Sequence, residues 1–479
     1  MKLSKLSIPY RAGQTLLGLL LVLVFFSPGS LATGSPVAVL LILLSALFAV
    51  AAVAAYQYLY WRNFEYSVEH DGLKIVSGVI SKNDRDIPLK RIQNVDINRN
   101  ILQRILGIAK VNIETAGGGR TEASLKYADY KGAQKLQKDV RELKNRRKSD
   151  TREDKQKERD DFVLSDKDLA VLSLASVDMR VLAGVMLLVS VAGGSIGSQI
   201  NGAIPQAASI AVTVILGALF VLGVWLSSAV SKFTQYYDFR LQFHDNALEY
   251  ERGLLNRSSG TIPEEKIQDI IIEENLLQRY FGYASLEVET AGYSVQQGTE
   301  FDTGSETVIP LAKRPEIEKF AREIGGYTEP DFQNIGVGAR KRYFRRYLFS
   351  GLTLGALTLV SAQVFNLAWS VYIPAALLIL SSKKAAELKW KNIGYYLDEK
   401  RVFTRKGFWN RKTYVVPYFR IQNFMETQNI FQMRWNQSTL LLDTAGSTRS
   451  NPQIIDMEKE KAELLRSQLF DSFKKSLLK

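Results

Sequence analysis

At 479 residues, with 23% Asp, Glu, Lys and Arg and a mean hydropathy of −0.07, the chain has the average of a large soluble protein. The distribution excludes a single soluble globule. No charged residue occurs from Ala12 to Trp61, from Val181 to Ser231 or from Tyr347 to Ser382, so all 62 basic and 49 acidic residues crowd into the remainder.

Residues 1–61 hold the first charge-free stretch. A membrane helix needs about 20 apolar residues, and the turn residues from Ser27-Pro28-Gly29-Ser30 to Gly34-Ser35-Pro36 divide this stretch into helices near 13–26 and 37–60. Its basic start, apolar Leu16–Phe26 run and Ser30-Leu31-Ala32 imitate a signal peptide, but an uncleaved anchor is the favoured reading. Residues 62–147 follow as a small domain, β first and helix last. Tyr66–His70 and Leu73–Gly78 are strand-like runs around an Asp71-Gly72 turn, and Leu136, Val140 and Leu143 stripe a closing amphipathic helix. Of the 21 residues from Arg141 to Asp161, 16 are charged, which marks 148–177 as a charged linker.

The second hairpin, 178–231, divides at Gly193–Pro205 into helices near 178–195 and 206–230. It leads to a second domain, 232–326, with a polar insertion at Tyr293–Thr307 and a closing helix striped by Ile317, Phe320, Ala321 and Ile324. A basic linker, 327–346, precedes the third hairpin, 347–382, with helices near 347–363 and 367–382. Its 36 residues leave about 17 per helix, the lower limit for spanning, so a re-entrant or tilted pair is the alternative. The third domain, 383–479, closes on a helix carrying Leu464, Leu465 and Leu469.

The inter-helix turns carry no Lys or Arg, whereas Lys2, Lys5, Arg11, Arg62, Arg180, Lys232, Arg340 and Lys383 flank the other ends. The positive-inside rule therefore places both termini and all three domains in the cytoplasm of a multi-pass plasma-membrane protein.

The domains are copies of one unit. Pro88–Gly117, Pro263–Gly292 and Pro417–Gly446 align without gaps, and Pro88/Pro263/Pro417, Ile92/Ile267/Ile421, Gln93/Gln268/Gln422, Asn100/Asn275/Asn429 and Gln103/Gln278/Gln432 are identical, as is a terminal Thr-Ala-Gly. The Asn column reads as the N-cap of a two-turn helix, and the column Gly107, Gly282 and Asn436 as its left-handed C-terminal stop. A curved sheet or barrel plugged by the closing helix is the economical fold.

A membrane hairpin followed by a small β-rich domain with an Ile-Pro-x-x-x-Ile-Gln segment resembles the bacterial pleckstrin-homology (PH) domains of YdbS/YdbT-like membrane proteins, and three such units resemble the longer, YdbT-like members. The resemblance covers essentially the whole chain. It implies a PH barrel of seven strands and a capping helix in each unit, a shorter one-domain relative as membrane partner, and a link to tolerance of membrane-active peptides. Eukaryotic PH domains bind phosphoinositides through a basic first loop. Here His70-Asp71-Gly72 and His244-Asp245-Asn246 are not basic, and Asp398-Glu399-Lys400-Arg401 only partly is, so that activity is not carried over.

The chemical inventory points away from an enzyme. The only histidines, His70 and His244, sit at turn positions, no convergent metal-ligand spacing occurs, and Gly117-Gly118-Gly119-Arg120 lacks the Gly-Lys-Ser/Thr ending of a phosphate loop. No catalytic residue, metal or cofactor is assigned. The repeated Gln and Asn columns read as backbone-satisfying fold residues before they read as a threefold polar ligand site. No Asp, Glu, Lys, Arg or His lies within the charge-free spans of the hairpins, which removes most support for proton-coupled or charge-coupled transport.

Arg340, Lys341, Arg342, Arg345 and Arg346 precede the fifth helix and Lys383 and Lys384 follow the sixth. They are the candidates for contact with the anionic inner leaflet, at about 1 kcal/mol each. This membrane explanation absorbs much of the net +13 and leaves nucleic acid as an unlikely partner. The expected function is a non-enzymatic scaffold or membrane/lipid sensor, in envelope stress or antimicrobial-peptide tolerance. An exporter component for an uncharged or amphipathic molecule is the alternative, and an accessory subunit of a membrane enzyme complex is third.

Overall fold

The computed structural model describes residues 3–13, 36–69, 72–89, 91–115, 123–149, 159–176, 206–244, 246–291, 305–365, 372–446 and 451–477. The expected helices 13–26 and 178–195, His70, the Gly117–Arg120 loop and most of the 293–307 insertion lie outside these. The chain divides into two compact units, Met1–Arg159 with Glu251–Thr261, and Asp160–Tyr250 with Ile262–Lys479.

In the first unit, helix Pro36–Arg62 leads into β1 (Glu65–Glu69), β2 (Gly72–Ser77) and β3 (Asn83–Pro88), an antiparallel sheet in that order. A second sheet is built from β4 (Ile92–Arg99), β5 (Ile108–Thr115) and β6 (Ala123–Asp129). Their inward faces meet: Leu73, Ile75 and Ile87 from one sheet bury against Val95, Ile97, Val111 and Leu125 from the other. Ala133, Leu136 and Val140 of helix Tyr130–Ser149 complete this core.

In the second unit β7 (Phe162–Val163) pairs with β8 (Arg240–His244), which neighbours β9 (Ala247–Arg252). The expected linker 148–177 is therefore partly structured. Ser165 caps helix Asp166–Ala175, and Phe162, Leu164, Leu169 and Leu172, an apolar minority beside the charge-rich run, supply a face for the core. β10 (Arg257–Pro263) gives residues 257–261 to the first unit, where they pair antiparallel with β4. Then come β11 (Ile267–Asn275), β12 (Tyr283–Thr290), β13 (Glu306–Lys313), helix Arg314–Gly325 and β14 (Gln333–Asn334).

After helices Val337–Phe365 and Ile373–Lys391, the third domain contributes β15 (Gly394–Leu397), β16 (Arg401–Lys406), β17 (Asn410–Pro417), β18 (Ile421–Thr427), β19 (Gln437–Thr444) and β20 (Gln453–Glu458), then helix Lys459–Leu477. The basic linker 327–346 ends at Val337, because its Arg/Lys run is good helix-forming sequence and simply extends the fifth helix toward its N-terminus.

Among the described residues each domain contributes six strands of its own, three to each of two sheets, and a closing helix, where the resemblance implied seven. In the second and third domains the two-residue strands β7 and β14, upstream of the hairpins, add a further edge. Domains two and three share one sheet, in the order β13-β12-β11-β17-β16-β15-β14, while β18-β19-β20 stand as a separate sheet of three. The shared sheet explains the run Ile270-Ile271-Ile272. Ile270 and Ile272 enter the core of domain two and Ile271 that of domain three, as in a strand buried on both faces.

The closing helices bury Leu136 and Val140, then Ile317, Phe320 and Ala321, then Leu465 and Leu469. Leu464 does not join them. It is 66% exposed, and Ala462 takes the inward position.

Candidate functional site

Each repeat begins its short helix with the same reciprocal cap. The Asn100, Asn275 and Asn429 side chains accept from the backbone N–H of Gln103, Gln278 and Gln432 at 2.8 Å, and each Gln Oε1 accepts from the Asn N–H at 2.9–3.0 Å. Two orphan donors are satisfied at once. The helices run only five residues, Ile101–Ile105, Leu276–Tyr280 and Ile430–Arg434. Gly107, Gly282 and Asn436 stop them with φ of 65°, 70° and 50°, a backbone that Gly and Asn adopt at little cost. Pro88, Pro263 and Pro417 end β3, β10 and β17, Ile92 and Ile421 are buried, and Ile267 packs against its core. Gln93 lies in β4, Gln268 donates to the Lys266 carbonyl at 2.9 Å, and Gln422 is exposed on β18.

The capping turn also touches the segment that leads into the repeat's own hairpin. Asn100 Nδ2 donates to Tyr10 Oη at 2.8 Å, and Asn275 Nδ2 to the Ala175 carbonyl at 2.6 Å. In the third repeat Gln432 Nε2 donates at 2.6 Å to Asp456 Oδ1, whose carboxylate also takes Tyr343 Oη at 2.6 Å and an ion pair from Arg342.

Asp456 sits in a bulge of β20 at φ 61°, and Tyr127, at the corresponding place in β6, has φ 71° and packs its ring, tilted by 53°, against Tyr10 with centroids 5.3 Å apart. Such bulges re-aim a side chain. Here they aim it at the leading segment. A tryptophan at or beyond the end of the hairpin closes the clasp in the first and third repeats: Trp61 Nε1 donates to the Leu3 carbonyl at 2.8 Å and Trp390 Nε1 to that of Ile335 at 2.9 Å, from the same repeat column; in the second, Trp225, within the hairpin's second helix, reaches the Leu174 carbonyl at 3.2 Å.

The two residue sets expected from sequence thus meet in domain three. Arg342 turns inward to Asp456, and burial, then the Asp456 charge, raise the pKa of Tyr343. Arg340 lies over Trp390 at 5.8 Å and Arg345 over Trp435 at 5.6 Å. Lys341, Arg346, Lys383 and Lys384 are exposed. Sequence reasoning missed Asp456 and the tryptophans. Trp61 and Trp390 were recoverable, since they share a column once the repeat is extended upstream.

A second polar cluster lies between domains two and three. Asp269 and Glu289 face each other across the β11–β12 ladder, both buried, and among the described residues no N–H or hydroxyl donates to either carboxyl. Burial, then the neighbouring Glu289, pushes Asp269 well above the usual carboxylate range, and burial pushes Glu289 up to about 7. Burial, then Lys412, brings Lys406 down to about 8. Lys412 bridges Glu273 at 3.0 Å and Glu287 at 3.6 Å. Burial pulls its pKa down, but Glu287 and Glu273 more than offset this and leave it raised.

The acid pair therefore holds a proton that the unfolded chain releases at lower pH. Its stabilisation is present in acid and fades as pH rises from the unfolded carboxylate range through about 7. Hydrogen exchange in β11 and β12, corrected for intrinsic rates, is expected to show easier opening at pH 7.5 than at pH 5, by about 3 kcal/mol, and the D269N/E289Q double variant to flatten that dependence. Among the described residues no group of three or more potential metal ligands converges.

The comparisons with known proteins agree with this construction. The family model for the bacterial PH domain, bPH_2, matches residues 18–144, 173–328 and 351–472. The chain belongs to the bacterial PH-domain family. It is also 24% identical over 417 residues to the UPF0699 transmembrane protein YdbT of Bacillus subtilis (strain 168), covering 81% of each chain. Among the described helices of this bacterial PH-domain protein, Ile215–Tyr236 is long and apolar enough to cross a membrane.

Proposed function

We propose that the chain is a non-enzymatic, polytopic scaffold or sensor of the plasma membrane. In this reading six helices in three hairpins carry three cytoplasmic PH domains with barrel-like closure, and both termini lie inside. The observation that carries it is the repeated clasp. A PH domain whose capping turn and bulge grip the segment leading into its hairpin moves with that hairpin, so a change in the bilayer is transmitted to a protein-binding domain. Support for membrane immersion comes from apolar side chains that water would not tolerate as a continuous surface, such as Leu216, Leu219 and Phe220, at 55%, 58% and 58% exposure, and Leu357, Leu359 and Val360, at 65%, 55% and 59%.

Lys341, Arg346, Lys383 and Lys384 would then face anionic headgroups, and the partner would be a membrane protein such as a shorter one-PH-domain relative. A role in tolerance of membrane-active peptides fits a sensor of this kind. Cysteines introduced at Ser30 and Ser198 of this cysteine-free chain are expected to label from outside intact cells; labelling only after permeabilisation would overturn the topology. Mild detergent extraction is expected to retain a membrane partner. Absence of any partner, together with solute flux in proteoliposomes, would replace the scaffold with the exporter reading.

A further inference from the structure

The strand that joins domains two and three has a counterpart that, among the described residues, is paired on one side only. β11 is covered by β17 of the next domain, and β4 by residues 257–261 of β10. Counted from each repeat's proline, the two junctions share one register, because Arg99 faces Arg257 as Glu274 faces Arg411. β18 is the third member of this series, and among the described residues it pairs with β19 alone. Gln268 to Ile272 are buried or nearly so in β11. In β18 Gln422, Asn423 and Thr427 are exposed, and Phe424, Met425 and Glu426 only half-buried.

Beside that edge lies an open groove of about 290 Å³, lined by Asn423, Phe424, Arg466, Phe470 and Phe473. In domain two, Phe403 and Val415 of the following domain enter the core at the corresponding place, with Phe403 edge-on to Tyr327 at 5.9 Å.

We infer that the β18 edge and its groove receive the third strand of a PH domain from another protein, added antiparallel in the register of the two internal junctions. A second copy of this chain is a poor occupant. At the columns of Phe403, Thr413 and Val415 its first domain carries Lys74, Asp84 and Asp86, with Lys74 and Asp84 ion-paired at 3.8 Å. The shared register would set Asp84 against Glu426 and Asp86 against Phe424. Charged residues of this kind guard natural sheet edges, so the chain is protected at its first domain and open at its last. The occupant is a PH domain with uncharged or apolar side chains at those columns and an apolar or aromatic residue opposite Met425, as Tyr414 stands opposite Ile271. This deepens the scaffold reading, on which it rests, by naming the partner class and its seat.

The test uses two full-length copies. One, the acceptor, carries Thr427→Cys; the other, the probe, carries Asn83→Cys, which the register places opposite. The probe is made with its natural β3 and with K74F/D84T/D86V, the residues of the third repeat. Oxidation is expected to give at least ten times more 83–427 disulfide with the substituted probe than with the natural one, and Met425→Asp in the acceptor is expected to abolish it. Equal yields with the natural probe would make a second copy the occupant. Absence of the cross-link with the substituted probe, or indifference to Met425→Asp, would close the edge as a docking site. Neither result touches the scaffold reading, which stands or falls on retention of a membrane partner.

Discussion

Asp456→Ala is expected to detach the third PH domain from its hairpin and to cost that domain about 3–5 kcal/mol. The carboxylate is 1% exposed and serves three donors, Arg342, Tyr343 and Gln432. Truncation leaves a guanidinium 12% exposed without its counter-charge and a buried hydroxyl without an acceptor, and the penalty for such orphans exceeds the net worth of the bonds themselves. Asp456→Asn keeps an acceptor for Tyr343 and loses the charge, so it should fall between wild type and alanine. Trp390→Phe removes one neutral hydrogen bond and should cost about 1 kcal/mol. Limited proteolysis of the 327–346 segment in membranes, alongside thermal unfolding, reads both effects. An Asp456→Ala protein with wild-type protection there would show that the clasp does not couple hairpin to domain.

The division between what the sequence disclosed and what it concealed follows the range of each interaction. The caps at Asn100, Asn275 and Asn429 were legible because acceptor and donor lie three residues apart and recur in three copies. The second helices of the first two hairpins were legible because charge is absent throughout their apolar spans. Arg342 was not, since composition places five basic residues before the fifth helix and is silent on which one turns inward. Its partner Asp456 is more than a hundred residues away and reaches it only through a bulge in β20. Ile270-Ile271-Ile272 carried a signal of another kind. Three consecutive apolar residues whose side chains enter two different cores mark a strand covered on both faces, and hence a sheet that continues into the next repeat. The column in β18 reads Phe424-Met425-Glu426, a weaker version of the same signal, and there the sheet ends.

Glu274→Gln is expected to cost the second unit about 3–5 kcal/mol and to make domains two and three unfold separately. Glu274 is 5% exposed and receives Arg314 at 2.6 Å on one oxygen and Arg411, through Nε and Nη2 at 2.8 and 2.6 Å, on the other. Arg314 also holds Glu318 at 2.6 Å, so it keeps a counter-charge when Glu274 is lost; Arg411 loses the one that joins it to β11.

Arg405 and Arg279 lie in the same field. Burial, then the charges of Arg411 and Arg314, takes Arg405 down to about 10. An amide at 274 would leave several guanidiniums facing one another in a half-buried site without the carboxylate that screens them. Because Glu274 and Arg411 are register partners across β11 and β17, the repulsion falls on the ladder that makes the two domains one sheet. The Glu274→Met/Arg411→Met double variant removes the pair together and should recover more than half of the loss, giving a coupling of about 2 kcal/mol or more in a double-mutant cycle. Calorimetry checks both expectations. A single transition in Glu274→Gln, displaced by less than about 1 kcal/mol, would mean that the shared sheet is secured by the Ile270–Ile272 packing alone and that the ion pair serves only to set its register.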